Sequence, residues 1–168
     1  MAFKKTSEPV AVSFALAESA ANTFTQEEIA LQLDVLNNEI FVVLAIDLDI
    51  EAPDAIAATN TRVTSSLTST TQTSTQGLGN TNCLSEGRSE IRAAGFVDGG
   101  VGFERSANST YTGDVPYIGL IATNNFFVQI AGVNNAAAKS VSGRVWGYRA
   151  RADAATYAAL VQSEVLSA

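Results

Sequence analysis

Alternation of apolar and other positions is strongest over residues 39–50, where Ile40, Val42, Leu44, Ile46, Leu48 and Ile50 recur at every second place. A period of two puts all six on one side of an extended strand. At about 3.3 Å per residue such a strand spans roughly 35–40 Å. Burying the six side chains contributes on the order of 10–15 kcal/mol before conformational entropy is set against it. The spacing therefore predicts a core strand. Its other face, Phe41, Val43, Ala45, Asp47 and Asp49, starts apolar and ends acidic, and the apolar half is expected to lie under a neighbouring element or subunit.

The same pattern, less pronounced, predicts the remaining strands. Val10, Val12, Phe14 and Leu16 alternate within residues 1–22, an N-terminal arm or first strand. Ile29, Leu31, Leu33 and Val35 share one face of another strand, and Asn37-Asn38 makes a turn because Asn tolerates positive φ. Residues 58–76 are dominated by Thr and Ser, with large apolar side chains only at Val63 and Leu67. They predict an edge strand running into an exposed loop, which residues 77–82 prolong. Asp98-Gly99-Gly100 between 90–97 and 101–105 reads as a hairpin, followed by a loop over 106–114. Segments 117–121, 126–130 and 140–148 complete the strands, with Asn124-Asn125 and Asn134-Asn135 marking turns. The period then changes. Asp153 is suited to cap a helix, and Tyr157, Leu160, Val161 and Val165 follow at helical spacing. Together these features predict an all-β domain: a jelly-roll β-sandwich of about eight strands over 23–152, with a short C-terminal helix over 153–168 belonging to the same domain.

Composition narrows the chemistry. The 168 residues can bury roughly 70% of the surface of the unfolded chain, so no disulfide or metal is needed for folding. Charged residues make up 16%, against about 25% in an average soluble domain. A neutral surface suits packing against other subunits, and equally a small secreted domain with a Ser/Thr/Asn coat. The net charge of −7, with only Lys4 and Lys5 basic before Arg62, argues against direct nucleic-acid binding. Histidine is absent and Cys83 is the sole cysteine. Those two facts remove Ser-His-Asp and Cys-His catalysis, an intrachain disulfide and the usual zinc sites. The expectation is a non-enzymatic protein with no cofactor and no small-molecule substrate. No stretch of about 20 apolar residues predicts a transmembrane helix, and Glu8, Pro9 and Glu18 interrupt what would be a signal peptide. A leaderless protein made in the cytoplasm is expected.

Residues 116–166 carry a family resemblance. The run Phe126-Phe127-Val128-Gln129-Ile130, then Ser140 to Arg149 with Trp146 and Tyr148, then a helix, resembles the closing strands and tail of the single jelly-roll capsid proteins of icosahedral viruses. The likeness is one of pattern over about a third of the chain and includes no diagnostic motif. It implies a coat subunit that self-assembles into a virion shell, with copies of itself and other capsid proteins as partners. Many such coats carry a basic arm that grips the genome. This chain lacks one, so the resemblance leans toward membrane-containing DNA viruses, whose shell lies over a lipid vesicle.

Several clusters have competing readings. Asp47, Asp49 and Glu51, with Asp54 nearby, could offer oxygen ligands to Ca²⁺, but no EF-hand spacing is present. A solvated strand end, or ion pairs to a second subunit, is the favoured reading. Arg144, Arg149 and Arg151 form a basic group able to meet such an acidic end. Trp146 with Tyr148 suits an interface anchor or, less commonly, a sugar-stacking platform. The expected subunit interface thus comprises Phe41, Val43, Asp47, Asp49, Arg144, Trp146, Arg149 and Arg151. Cys83 has nothing nearby in sequence to activate it, and the Asn108-Ser109-Thr110 sequon reads as chance without a leader. Two other functions fit the pattern: an extracellular carbohydrate- or surface-binding (adhesin-like) module, and a small-ligand barrel with a cavity lined by the Ile40–Ile50 face.

Overall fold

The structure, a computed structural model, describes residues 3–95, 103–109 (backbone only) and 115–167. Its strands are β1 (Phe3–Lys5), β2 (Val10–Ala17), β3 (Thr25–Ala30), β4 (Glu39–Ile50), β5 (Thr61–Thr68), β6 (Cys83–Arg92), β7 (Phe103–Ser109), β8 (Gly119–Ile121), β9 (Asn125–Val133) and β10 (Ser140–Ala152), followed by the helix α1 (Ala154–Leu166). In one sheet, sheet A, β1 and β2 lie along the same side of β10, which is followed by β4 and β8; the order in sheet B is β3-β9-β5-β6-β7. All pairings are antiparallel.

The connectivity has a simple logic. β2 pairs with β10, β3 with β9, β4 with β8 and β5 with β6. These nested pairs are one long antiparallel ribbon, folded back on itself between β5 and β6. Rolling the ribbon brings β10 beside β4 and β9 beside β5. That is a jelly roll, with β1 and β7 added at its edges. The inner faces of both sheets meet in one apolar core, where Phe14 of β2 and Phe126 of β9 stack edge-on with centroids 6.0 Å apart.

The strand over 39–50 forms with the expected bounds, but its side chains do not all face one way. Trp146 pairs with Ala45 and Gly147 with Val43, so Leu44 is an extra residue in β4, a β-bulge. The bulge swaps the faces. Beyond it Ile46 and Leu48 enter the sandwich core; before it Phe41 and Val43 do so. Ile40 and Val42 instead form a second cluster with Ala150, Ala152 and the α1 residues Tyr157, Leu160 and Val161. Both ends of β4 are therefore buried on the inside, while α1 covers half of its outside. No cavity lined by a continuous Ile40–Ile50 face can exist in this arrangement.

Other expectations need correction. The strand through Ile29 stops at Ala30. Gln32 takes φ 55, Leu31 and Leu33 are buried, and the Leu33 N–H donates to Asn124 Oδ1, so the chain turns where an extended strand was expected. Val35 starts a 3₁₀ turn, and Asn38 supplies the left-handed residue that ends it. β5 is a central strand, not an edge, lying between β9 and β6. Its outward Thr and Ser side chains are covered by the chain's own Ser/Thr-rich segment. Thr64 Oγ1 lies 3.0 Å from Thr75 Oγ1, and Ser66 Oγ accepts from the Gln76 N–H at 3.0 Å while donating to the buried Gln129 at 2.6 Å. Gln26 bridges Gln129 to the Gln72 N–H, both at 2.8 Å. Strand β7 runs through Ser109, into the expected 106–114 loop. The Asp98-Gly99-Gly100 turn lies outside the described residues.

Candidate functional site

Strand alternation distributes the expected interface residues over three environments. Phe41 and Val43 are fully buried in the core and present no surface to a second chain. Arg149 lies on the same side of β10 as the core. Its Nη2 donates to the Leu31 carbonyl at 2.8 Å and its Nε lies 3.6 Å from Glu39, so it ties the β3–β4 connection to sheet A. Arg151 falls on that side too, but is exposed. Arg144 points the other way, so the three arginines are not one cluster.

Asp47, Asp49, Arg144 and Trp146 do come together, on the outer face of sheet A. Register places Asp47 and Ser13 on either side of Arg144, and Asp49 beside Ser142. With Trp146 they line a shallow groove of about 280 Å³. Arg144 donates to Ser13 Oγ at 3.1 Å, and its guanidinium carbon lies 5.8 Å from the Trp146 ring centroid. This pins the arginine over the indole, an attraction of the ring face for a cation. Tyr148 shares the face but packs in the α1 cluster with Lys5 Nζ 5.4 Å above its ring. Trp146 and Tyr148 therefore do not form a common platform.

Around the groove the outer face is flat and small. Ala11, Ser13, Ala15 and Ala17 of β2 and Ser140 and Ser142 of β10 are all exposed. One feature on each side of the sheet bears on this face. Helix α1 covers only the end of the sheet bearing Ala150 and Ala152. In addition, Gly143 and Gly147 let the Phe14 and Phe41 rings press against β10 from inside, where a Cβ would come within 2.5 Å of either ring. The core rings hold the backbone of β10 from within, and in the half of its outside that α1 leaves open Trp146 is the one ring.

Glu51 and Asp54 do not join Asp47 and Asp49. Lys139, itself buried, sits 2.7 Å from Asp54 Oδ1 and 3.7 Å from Glu51. Asp54 Oδ2 also accepts from Ala136 and Ala137 N–H at 2.9 and 3.1 Å. The Lys139 hydrogen bond, with those amides, holds the Asp54 carboxyl below its ordinary range; the Ser140 hydroxyl, more than Lys139, does so for Glu51. Among the described residues no three potential ligands converge on a metal position. The acidic run thus divides into a surface groove and a partly buried ion pair.

Sequence reasoning missed this ion pair and the polar knot beside it. Buried Glu18 accepts from the N–H groups of Thr23, Gly132 and Lys139 at 2.8, 3.0 and 2.9 Å. Asn22 and Asn135 bond each other in both directions at 2.8–2.9 Å. The Asn134-Asn135 pair signalled a turn, but nothing local told which distant groups it would bind. The Cys83 thiol, half-buried, is pushed up to about 11 by burial and by nearby Glu86, so it is not a poised nucleophile. No helix of the described residues is long and apolar enough to cross a membrane.

Comparison with protein-family models, curated proteins and solved structures finds no match to this chain.

Proposed function

We propose that this chain is a structural coat subunit: a jelly-roll block that packs against copies of itself to build a closed shell, as its resemblance to viral capsid proteins implies. One observation carries the reading, the bare half of the outer face of sheet A, where exposed Ala and Ser positions surround a half-buried Trp146. The β2 part of that face, with only Ala11, Ser13, Ala15 and Ala17, lets a second surface approach the backbone closely, while Arg144 is held down on Ser13 and Trp146. A single aromatic ring in its middle is the usual form of an interface anchor. Asp47, Asp49 and Arg144 on the same face supply orientation more than affinity. Repetition of one such contact by symmetry closes a ring or shell.

A second reading is supported by the groove itself. Two carboxylates and two serine hydroxyls beside Trp146 suit a saccharide, whose hydroxyls they bond. Light scattering and electron microscopy of the purified protein separate the two. Assembly predicts particles or large rings for the unaltered chain, and a folded monomer for Ser142→Arg, which plants a long side chain on the flat face. A monomer under every salt and concentration condition overturns the coat reading, and saccharide-dependent Trp146 fluorescence in that monomer then supports the second.

A further inference from the structure

A cavity of about 630 Å³ opens between α1, β8 and the start of β6, and it shares no lining residue with the Trp146 groove. Its volume lies within the roughly 300–1,000 Å³ typical of small-molecule sites. Leu78, Leu84, Ile118, Leu120 and Leu160 supply apolar wall. Gly119 shapes it: a Cβ there would come 2.7 Å from Leu84 Cδ2, so the glycine lets Leu84 lie across β8. Leu78, at 63% exposure, stands at the rim as one of the few large apolar side chains left in water.

The wall also contains an acidic residue. Glu164 is only 7% exposed. One carboxylate oxygen accepts the Ala122 N–H at 2.8 Å and the other the Thr123 N–H at 3.2 Å. None of the ion pairs among the described residues includes it. The Thr123 hydroxyl is a further partner, yet no counter-ion faces the group, and burial raises its carboxyl above the ordinary range. An anionic ligand would raise the carboxyl further, a neutral one would leave it without a counter-ion, and a cation would favour its ionised form. A cation with an apolar body answers both the leucine walls and the carboxylate.

We propose that this cavity binds a small amphipathic cation, an alkylammonium whose chain lies against Leu84, Leu120 and Leu160 and whose head group meets the Glu164 carboxylate. Calorimetric titration of the intact protein with octylammonium, octanol and octanoate, all below micellar concentrations, tests it. Expected are saturable 1:1 binding of octylammonium at least tenfold tighter than octanol, no binding of octanoate, and affinity falling about fourfold for each methylene removed from the chain. Glu164→Gln should bring octylammonium down to the octanol level and leave octanol unchanged. A second readout needs no variant: Cys83 lines the same cavity, so octylammonium, and not octanoate, should slow its alkylation by maleimide. Absence of saturable octylammonium binding, equal affinity for the three probes, or equal protection of Cys83 by octanoate overturns the proposal.

Discussion

The Lys139 ammonium lies 2.7 Å from Asp54 Oδ1, and with 6% of its side chain exposed it is the buried partner of a half-open pair. A lysine so enclosed has its charge balanced by Asp54 and by Glu51 at 3.7 Å. Removing Asp54 leaves that charge in the interior; removing Lys139 leaves the carboxylates with water and backbone N–H groups. Asp54→Ala is therefore expected to lower the melting temperature more than Lys139→Met does. The order of the two melting temperatures at pH 7 checks this.

Acid should act through the same cluster. The Ser140 hydroxyl holds the Glu51 carboxyl, and the Lys139 ammonium the Asp54 carboxyl, below the ordinary carboxylate range. A lowered folded value means stability that is complete above the unfolded value and is lost as pH falls through the folded one. Through these two groups the melting temperature should fall as the pH drops below about 4. Asp54→Asn should flatten that fall; an unchanged pH profile in this variant refutes the assignment.

Gly147 has no room for a side chain. A Cβ would sit 2.3 Å from the Val42 carbonyl oxygen and 2.5 Å from Phe41 Cε1. Gly147→Ala must displace either the β4 backbone or a fully buried ring, an overpacking cost of about 3 kcal/mol. Gly79→Ala meets nothing within 4 Å and serves as control. Urea midpoints should drop sharply for the first variant and stay near the unaltered value for the second.

Asp153 accepts the Thr156 N–H at 2.7 Å at the start of α1, which holds its carboxyl below the ordinary range. Asp153→Ala removes the cap and should cost about 1 kcal/mol. Because α1 covers Ile40, Val42 and Ala150, hydrogen exchange should rise in α1 first and in the adjoining half of β4 next, with sheet B unaffected.

Asp47 and Asp49 are both exposed, and neither is part of the core. On the coat reading, reversing both charges to lysine should impair particle formation while the monomer's stability stays within about 0.5 kcal/mol of the unaltered chain. Unchanged particle yield removes these carboxylates from the contact.

Much of the architecture was legible because periodicity reports burial. The bounds of β4, the turn at Asn38 and the Asp153-capped helix all follow from local patterns. The bulge at Leu44 was hidden because residues 40–43 are apolar on both faces, so a face swap leaves no trace in the alternation. β5 was misread as an edge because its outward Thr and Ser suggest solvent, whereas they meet the hydroxyls and amides of residues 69–76. Asp47, Asp49, Arg144 and Trp146 could each be singled out from sequence. That they share one face follows from the β4–β10 register, which no single strand contains. The Lys139 pair spans 85 positions and has no local signature.

The nested ribbon has a consequence for how the protein is made. β2 finds its pairing partner in residues 140–147 of β10, and β3 in β9. On a ribosome, β2 and β3 emerge long before either partner exists, whereas β5 with β6 and β6 with β7 can close early. A topology dominated by such distant pairings folds slowly, and its early strands spend that interval with open edges. Val10, Val12, Phe14 and Leu16 are then an uncovered β-strand on a nascent chain, a target for chaperones and for neighbouring nascent copies alike.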